Sequence, residues 1–436
     1  MKICASLSSV SDIELIKKAD MAEVRMDLLG HVPDIKGKEL IVTFRGTPDL
    51  TVLPKGFKGM IDVGEYDVPD VDVDVISSFH DHESTPSAEK IISLLKKQKG
   101  DVKKGAFKVN SFTDLKSIYD ASKQIKERHV LLGMGGLGTV TRIRQDILGN
   151  LFTFAYVGEP TAPGQLSLDE MHGLGDDPMI VGILGNPLEK SLSPKMHNAV
   201  MKKKGVKGIY LKFEADDLKH VKDAVRDYNI RGMNVTIPYK SAILEHLDHY
   251  DEDVGSIGAA NTVVNEKGVL KGYNTDMIGI EKAMKVAGFE PKGKRALIMG
   301  SGGAARACSY TLKKRGCEVT IAGRNEGTSR SICRDIGCEY KANTSVALML
   351  YDLIVNCTPV GMYGDGDYPV NTCQITRHHT VFDMVYGVET PLIKRARVRE
   401  AVIVSGEDML AAQGAASLEL WTGKKNLFKP MREALR

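Results

Sequence analysis

The stretch KRALIMGSGGAARACSYTLKKRGCEVTIAGR, residues 294–324, decides the fold of the half of the chain that contains it. RALIM reads as an apolar strand, GSGG as a tight turn, AARACSYTLKKRG as a helix ending in cations, and CEVTIAG as a second strand. Strand, glycine turn, helix and strand within roughly thirty residues form a βαβ unit of the Rossmann type. In GSGGAA, residues 300–305, the turn follows a strand and opens a helix. Its backbone N–H groups can therefore face a pyrophosphate while the helix N-terminus supplies partial positive charge. Ala305 stands at the third glycine of G-x-G-x-x-G, a variant that the fingerprint allows. The second strand ends at Arg324, where a cofactor with a free ribose 2′-hydroxyl would be met by an acid. An arginine there suits a 2′-phosphate, so NADP(H) is expected over NAD(H); as a solvated surface cation Arg324 would express no such preference.

Outward from this unit, DLIVNCTP (352–359), TVFDMVY (380–386) and AVIVSG (401–406) continue the alternation. Before it lie MIVGILG (179–185), MNVTIP (233–238) and NTVVNEKGVLKGYN (261–274), the last a hairpin about Glu266 to Gly268. The terminal DMLAAQGAASLELWTG (408–423) has the apolar spacing of a helix. Glycine, proline and acids in GEPTAPGQLSLDEMHGLGDDPM (158–179) place a boundary near residues 173–178.

Upstream of that boundary stand eight short apolar or β-branched runs: KICASL (2–7), EVRMDL (23–28), LIVTFR (40–45), MIDVG (60–64), VDVISSFH (73–80), GAFKVN (105–110), HVLLGM (129–134) and LFTFAYV (151–157). Helix-like SAEKIISLLKKQK (87–99) and TDLKSIYDASKQIKE (113–127) lie between some of them. The pattern predicts an α/β fold with an N-terminal (β/α)8 TIM-like barrel, although shorter than the ~250 residues usual for one. An open doubly wound sheet is the competing architecture. The expected organisation is a barrel over 1–175, a second α/β domain from 179–280 plus 406–436, and a Rossmann domain over 281–405.

The 436 residues suffice for two or three domains. With 59 lysines and arginines against 56 acids, the net charge of +3 gives no sign of a nucleic-acid binder. The beginning of the chain has acids and no continuous apolar core, so it does not read as a secretory signal, and no stretch approaches the ~18 apolar residues of a membrane span. Seven cysteines without a C-x-x-C pair point to reduced thiols in a cytoplasmic protein with no metal site.

Barrel chemistry gathers at the carboxyl ends of strands, where Arg25, Arg45, His80 and Lys108 fall. Lys108, within the apolar GAFKVN, is the expected nucleophile: a desolvated amine attacks a ketone to form a Schiff base, and His80 shuttles protons. A lysine at a strand end can equally snorkel to solvent. His80 and His82 share one side of a strand, but a zinc site lacks a third ligand nearby. In the second half, Lys240 of NVTIPYK and Asp276 of GYNTD are the candidates for proton donation to a ketone under reduction; Asp276 could instead simply cap the following helix.

The second half, from about residue 179 to 436, resembles shikimate dehydrogenase. The segments that carry this are GNPLEKSLSPKMHN (185–198), GMNVTIPYK (232–240), GAANT (258–262), GYNTD (272–276), GSGGAA, NCTPVGM (356–362), FDMVY (382–386) and GEDMLAAQ (406–413). The resemblance implies a substrate domain around the Rossmann domain, with Lys240 and Asp276 as the catalytic pair. Ser191, Ser193 and Thr236 would hold the substrate carboxylate or its neighbours, Asn261, Asp276 and Gln413 the ring hydroxyls, and Tyr386 would lie near substrate. Gly300, Ser301, Gly302, Gly303, Ala304, Arg324, Thr358, Met384 and Gly406 would face the NADP(H).

Residues 1 to about 170 resemble type I 3-dehydroquinate dehydratase through ASL (5–7), EVRMD (23–27), TFRG (43–46), HDHESTPSAEK (80–90), the AFKVN segment, GTVTR (138–142) and PTAPGQ (160–165). The resemblance implies Lys108 as the Schiff-base lysine and His80 as general acid/base. Glu23, Arg25, Arg45, Arg142, Thr161 and Gln165 would surround the polyhydroxy carboxylate, with Ser6 close by. The chain departs from the family at Val24, Phe79 and His82, and only Asp49 stands for an acid after Arg45.

Together the two resemblances imply one shikimate-pathway enzyme that dehydrates 3-dehydroquinate to 3-dehydroshikimate and reduces that with NADPH to shikimate. These small molecules, not nucleic acid or a membrane, are the expected partners, with a homo-oligomer left open. The alternatives are a shikimate or quinate dehydrogenase with an inactive barrel, and a ligand-sensing protein derived from such enzymes.

Overall fold

The computed structural model describes residues 1–363 and 367–436, which fold into two compact units, Met1–Gly182 with Lys207–Arg231, and Ile183–Val206 with Gly232–Arg436. In the first, the eight apolar runs become β1 (Ile3–Leu7), β2 (Met21–Arg25), β3 (Glu39–Thr43), β4 (Met60–Asp62), β5 (Asp74–Asp81), β6 (Val102–Lys108), β7 (His129–Met134) and β8 (Thr153–Tyr156). All the pairings among them are parallel, in the order β7-β6-β5-β4-β3-β2-β1-β8. Because β1 pairs with β8 as well as β2, the sheet curls into a barrel; at the β7–β8 seam Leu151 N donates to His129 O at 3.0 Å. An open doubly wound sheet is thereby excluded.

The barrel is small because the connections β1–β2, β3–β4 and β4–β5 contain no α-helix, only 3₁₀ turns and loops. Where helices do form, local signals start them. Ser87 caps Ala88–Lys97, and Ser111 with Asp114 forms a capping box on Phe112–Gln124. Alternation along the strands then sorts the interior into levels. Cys4, Met21, Ile41, Met60, Ile76, Val102, Val130 and Phe152 make an apolar floor. Two residues further along six of these strands stand Ser6, Glu23, Thr43, Asp62, Ser78 and Lys104, all buried. Polar groups therefore collect toward the carboxyl ends of the strands, the end at which barrels place their chemistry.

A mixed six-stranded sheet contains β9 (Met179–Gly185), β10 (Gly208–Glu214), β11 (Ile230–Val235), β12 (His249–Tyr250), β13 (Thr262–Glu266) and β14 (Val269–Tyr273), in the order β10-β9-β11-β13-β14-β12. The expected hairpin is β13–β14, with Glu266 opposite Val269 and positive φ at Lys267 and Gly268. Two successive positive φ angles are what a tight turn matching strand twist requires.

The Rossmann sheet contains β15 (Arg295–Met299), β16 (Glu318–Ala322), β17 (Glu339–Tyr340), β18 (Leu353–Asn356), β19 (Thr380–Asp383) and β20 (Val402–Val404), parallel in the order β17-β16-β15-β18-β19-β20. The order reverses between β15 and β18, and that reversal opens a crevice at the carboxyl ends of the strands. Helix Gly406–Thr422 packs on helix Asp276–Val286. Gly279 permits the approach: a Cβ there would lie 2.8 Å from the carbonyl oxygen of Met409. Among the described residues no helix is long and apolar enough to cross a membrane.

Candidate active sites

At the carboxyl end of the barrel a cavity of about 290 Å³ is lined by Glu23, Arg25, Arg45, His80, His82, Lys104, Ala106, Leu132, Met134, Arg142, Phe154, Thr161, Ala162 and Gln165. Lys104, at an inward position between Val102 and Ala106, is 3% exposed. Its ammonium donates to Asp62 Oδ2 at 2.8 Å and lies 4.4 Å from the centre of the Phe154 ring. Asp62 also accepts from Ser78 Oγ at 2.7 Å and Gly64 N at 3.0 Å. Burial pushes its pKa upward, but the Lys104 charge and these hydrogen bonds outweigh burial and hold the carboxyl below its usual range.

His80 stands one level above Ser78 on β5, with Arg45 Nη1 3.3 Å from Nε2 and 3.4 Å from Nδ1. Burial first, and then the charges of Lys104 and Arg45, push its pKa down to about 3, so at neutral pH the imidazole is uncharged. Glu23 is held by Ser6 Oγ at 2.6 Å and Thr43 Oγ1 at 2.8 Å. Arg142 is buried, its guanidinium pushed by burial down to about 10 against the pull of Glu23, and its Nε has no hydrogen-bond partner among the described residues. A buried cation lacking a partner is costly, and an anionic ligand group would supply one. Arg25 is forked onto Asp27, through Nε at 2.8 Å and Nη2 at 2.5 Å. Gln165 Oε1 accepts from Thr161 N, Thr161 Oγ1 and Ala162 N at 2.9, 3.1 and 3.1 Å, which fixes the loop carrying all three.

Two expectations need correction. Lys108 does not line the cavity: as the last residue of β6 it is carried past the wall, and its Nζ lies 3.1 Å from where a Cβ on Gly135 would be. Its contribution is a carbonyl that accepts from Thr85 Oγ1 at 2.6 Å. The lysine in the wall is Lys104, which the sequence reading missed. Its parity with Val102 and Ala106 in VKKGAFK separates it from the neighbouring Lys103, which reaches out to the carbonyls of Gln98 and Gly100, but not from Lys108. Ser6 likewise is no part of the cavity wall; fully buried, it stands behind Glu23 and orients it.

In the second unit, Lys240 Nζ donates to Asp276 Oδ2 at 2.5 Å, and Asn261 Nδ2 to Asp276 Oδ1 at 2.8 Å. Asn261 Nδ2 also lies 3.4 Å from Gln413 Oε1, while its Oδ1 accepts from Thr275 N at 2.6 Å. Asp276 opens helix Asp276–Val286 and is 4% exposed, so its carboxylate is both buried and fully engaged. Tyr386 lies near enough that Asp276 reinforces burial in raising its phenol above the ordinary range. Ser193 N donates to Ser191 Oγ at 3.4 Å at the start of helix Ser193–Lys203, and Thr236 packs on Gly185. Among the described residues, these three do not join the hydrogen-bonded cluster around Asp276. Leu192, between the two serines, reaches Gly387 beside Tyr386.

The glycine turn adjoins this cluster. Gly300 has φ +117°, and a Cβ there would lie 3.1 Å from the Cys357 carbonyl oxygen and 3.2 Å from Thr358 Cγ2. Gly302 precedes helix Gly303–Lys314 with no side-chain cap, which leaves the first N–H groups of the helix for a ligand. At Gly303 a Cβ would lie 3.1 Å from the Lys240 side chain, so the glycine lets the lysine stem cross the turn. Ser301 lies in the turn and Ala304 in the first turn of the helix. Arg324, two residues past β16, is exposed with no hydrogen bond or ion pair among the described residues. Thr358 Oγ1 donates to Asn356 Oδ1 at 2.6 Å, and Met384 Sδ lies 3.5 Å from Cys357 Sγ. Gly406 serves close packing, since a Cβ there would lie 2.6 and 2.7 Å from the carbonyl oxygens of Asp383 and Val385. An uncapped helix start, an open glycine turn and a free arginine at the next strand end together fit a dinucleotide that carries a 2′-phosphate.

Barrel and Rossmann unit thus define a two-site α/β enzyme, a lyase joined to an oxidoreductase. The comparisons narrow this. The family described as "Shikimate dehydrogenase substrate binding domain" matches residues 183–263, "Shikimate 5'-dehydrogenase C-terminal domain" 406–436, and "Type I 3-dehydroquinase" 66–174. Shikimate dehydrogenase (NADP(+)) of Methanococcus maripaludis strain C6 is 38% identical over 270 residues, 59% of this chain and 96% of the relative. That of Halothermothrix orenii is 41% identical over 276 residues, again 59% and 96%. Among solved structures, shikimate dehydrogenase of Aquifex aeolicus aligns with TM-score 0.57 at 32% identity, covering 59% of this chain and 98% of that one. Shikimate 5-dehydrogenase of Thermus thermophilus, solved with NADP(H) and shikimate, aligns with TM-score 0.55 at 32% identity and the same coverages. The chain belongs to the shikimate dehydrogenase family and carries in addition a type I 3-dehydroquinase domain.

Proposed function

We propose that this chain catalyses two consecutive steps, dehydration of 3-dehydroquinate in the barrel and NADPH-dependent reduction of the resulting 3-dehydroshikimate in the second unit. The observation that carries the reading is the buried Lys104 beside an uncharged His80 in a cavity rich in cations. In the barrel, Arg142 and Arg45 take the substrate carboxylate. Once its proton has passed to His80, the Lys104 amine attacks the C3 carbonyl; His80 gives that proton to the carbinolamine hydroxyl, which leaves as water, and an iminium remains. The iminium acidifies the adjacent C2–H. His80 removes that proton, and the electron pair moves to the iminium nitrogen. Collapse of this enamine breaks the C1–O bond, His80 returns the proton to the departing hydroxyl as water, and hydrolysis frees Lys104. Asp62 holds the lysine in place throughout.

In the second unit, bound NADPH supplies the hydride. Lys240, held by Asp276, donates the proton to the C3 oxygen as negative charge develops there. Asn261 fixes Asp276 and, with Gln413, offers the ring hydroxyls their partners. Ser191, Ser193 and Thr236, on the 185–193 and 234–240 segments, hold the substrate carboxylate in this reading. The glycine turn takes the pyrophosphate and Arg324 the 2′-phosphate.

The test is NADPH oxidation by the purified chain with 3-dehydroquinate or 3-dehydroshikimate, and NADP(+) reduction with quinate in a third arm. Oxidation with both ketones is expected, lost with both in Lys240→Ala. Oxidation with 3-dehydroshikimate alone would overturn the barrel assignment. Faster turnover of quinate than of shikimate would redirect the reductase reading toward the chemistry of another structural neighbour, quinate dehydrogenase from Corynebacterium glutamicum.

A further inference from the structure

We propose that His82 hydrogen-bonds a substrate hydroxyl at the mouth of the barrel cavity, and so sets affinity for hydroxylated ring acids without taking part in proton transfer. The inference rests on the dehydration proposed above. His82 lines the cavity yet is exposed, one residue past the end of β5 and two beyond His80. The two rings are nearly parallel, 14° apart, with centres 6.1 Å from each other, an offset-stacked pair that leaves the ring nitrogens of His82 free to bond elsewhere. Neither ring nitrogen of His82 has a hydrogen-bond partner among the described residues.

The backbone that presents it is pinned on both sides. Asp81 accepts from Glu83 N and Ser84 N, each at 2.9 Å, Asn110 Nδ2 donates to Glu83 O at 3.2 Å, and Thr85 Oγ1 to Lys108 O at 2.6 Å. The backbone that carries His82 is thus fixed before any ligand arrives, which lowers the ordering cost of binding. Arginines and Lys104 match the carboxylate and the ketone, but hydroxyls need neutral groups that both donate and accept. The imidazole of His82 places two ring nitrogens at the cavity mouth for such a hydroxyl.

The experiment compares full-length wild type with His82→Ala, His82→Phe and His82→Gln in dehydration of 3-dehydroquinate, followed by the absorbance of the conjugated enone product. Each preparation is checked by its melting temperature and its reductase activity. KM is expected to rise ~10-fold in the Ala and Phe variants with kcat within about twofold, and to stay within about threefold in the Gln variant, whose amide keeps the hydrogen bond. Rescue by Phe with a kcat loss in Ala would show that the ring only packs on His80 and would overturn the proposal. So would an unchanged KM in all three. A wild type that leaves 3-dehydroquinate untouched brings down the dehydration reading and this inference together, a pattern distinct from an active wild type with indifferent variants.

Discussion

Replacing Lys104 by methionine removes both the amine and the positive charge that balances Asp62. The side chains of this pair are 4% and 1% exposed, so water does not replace the lost partner. Breaking a buried pair on one side typically costs about 3–5 kcal/mol. In a unit of this size each kcal/mol shifts melting by about 2–4 °C, so the barrel should melt roughly 6–20 °C lower. Changing Asp62 to asparagine in the same chain removes the stranded carboxylate and should restore most of that loss. Dehydration should nevertheless stay at least ~10³-fold below wild type in both variants, because no imine can form. Lys108→Met, outside the cavity, should keep turnover within about threefold. The assays are calorimetric melting, enone absorbance, and mass spectrometry after borohydride reduction with substrate, which should find the adduct on Lys104. Dehydration surviving in Lys104→Met but lost in Lys108→Met, or an adduct on Lys108, would refute the reasoning.

Arg142→Met should raise KM for 3-dehydroquinate by about 10–100-fold through loss of a charge-assisted fork, yet leave barrel stability unchanged or higher because the Nε has no partner; a large fall in melting temperature would contradict this. Arg324→Ala should raise KM for NADPH about tenfold while leaving that for NADH unchanged, and equal effects on the two would remove the 2′-phosphate assignment. His197 lies fully buried 5.8 Å from Trp421, and burial pushes its imidazole down to about 3 from an ordinary 6.5. Between those values the unfolded chain binds a proton that the folded chain does not, so stability falls on acidification. From pH 7 to 5.5 this group should cost about 1 kcal/mol. Denaturant unfolding followed by the single tryptophan should show it, and His197→Gln should lose that part of the pH dependence.

Much of the architecture is legible in local chemistry. Eight apolar runs become eight barrel strands because β-branched and apolar alternation describes a strand buried in a parallel sheet wherever it closes. The glycine turn at 300–305 is equally legible, since a positive φ at Gly300 and an uncapped helix start are backbone demands that few residue types meet. Strand β10 and the two-residue β12 and β17 escaped the reading. GIYLKFE has strand-like residues after a helix closed at Gly205, so its signal was present, whereas β12 and β17 are formed by pairing with β14 and β16 rather than by their own sequences.

The choice between Lys104 and Lys108 shows where sequence stops. Both occupy the same parity of β6, and Lys108 has the more apolar neighbours along the chain. Which one enters the cavity depends on how far the strand runs before leaving the wall, and on Asp62, 42 positions away, which meets Lys104 only once β4, β5 and β6 are paired. The same holds for the demotion of Ser6 behind Glu23 and for the approach of Lys240 to Asp276. Strand and helix periodicity, turn residues and the types of reactive group are written in the order of amino acids, because they depend on neighbours a few residues apart. Burial, ion pairing and the level of a side chain within a barrel are decided by tertiary structure, because desolvation and Coulomb energy depend on distances that only closure of the sheet sets.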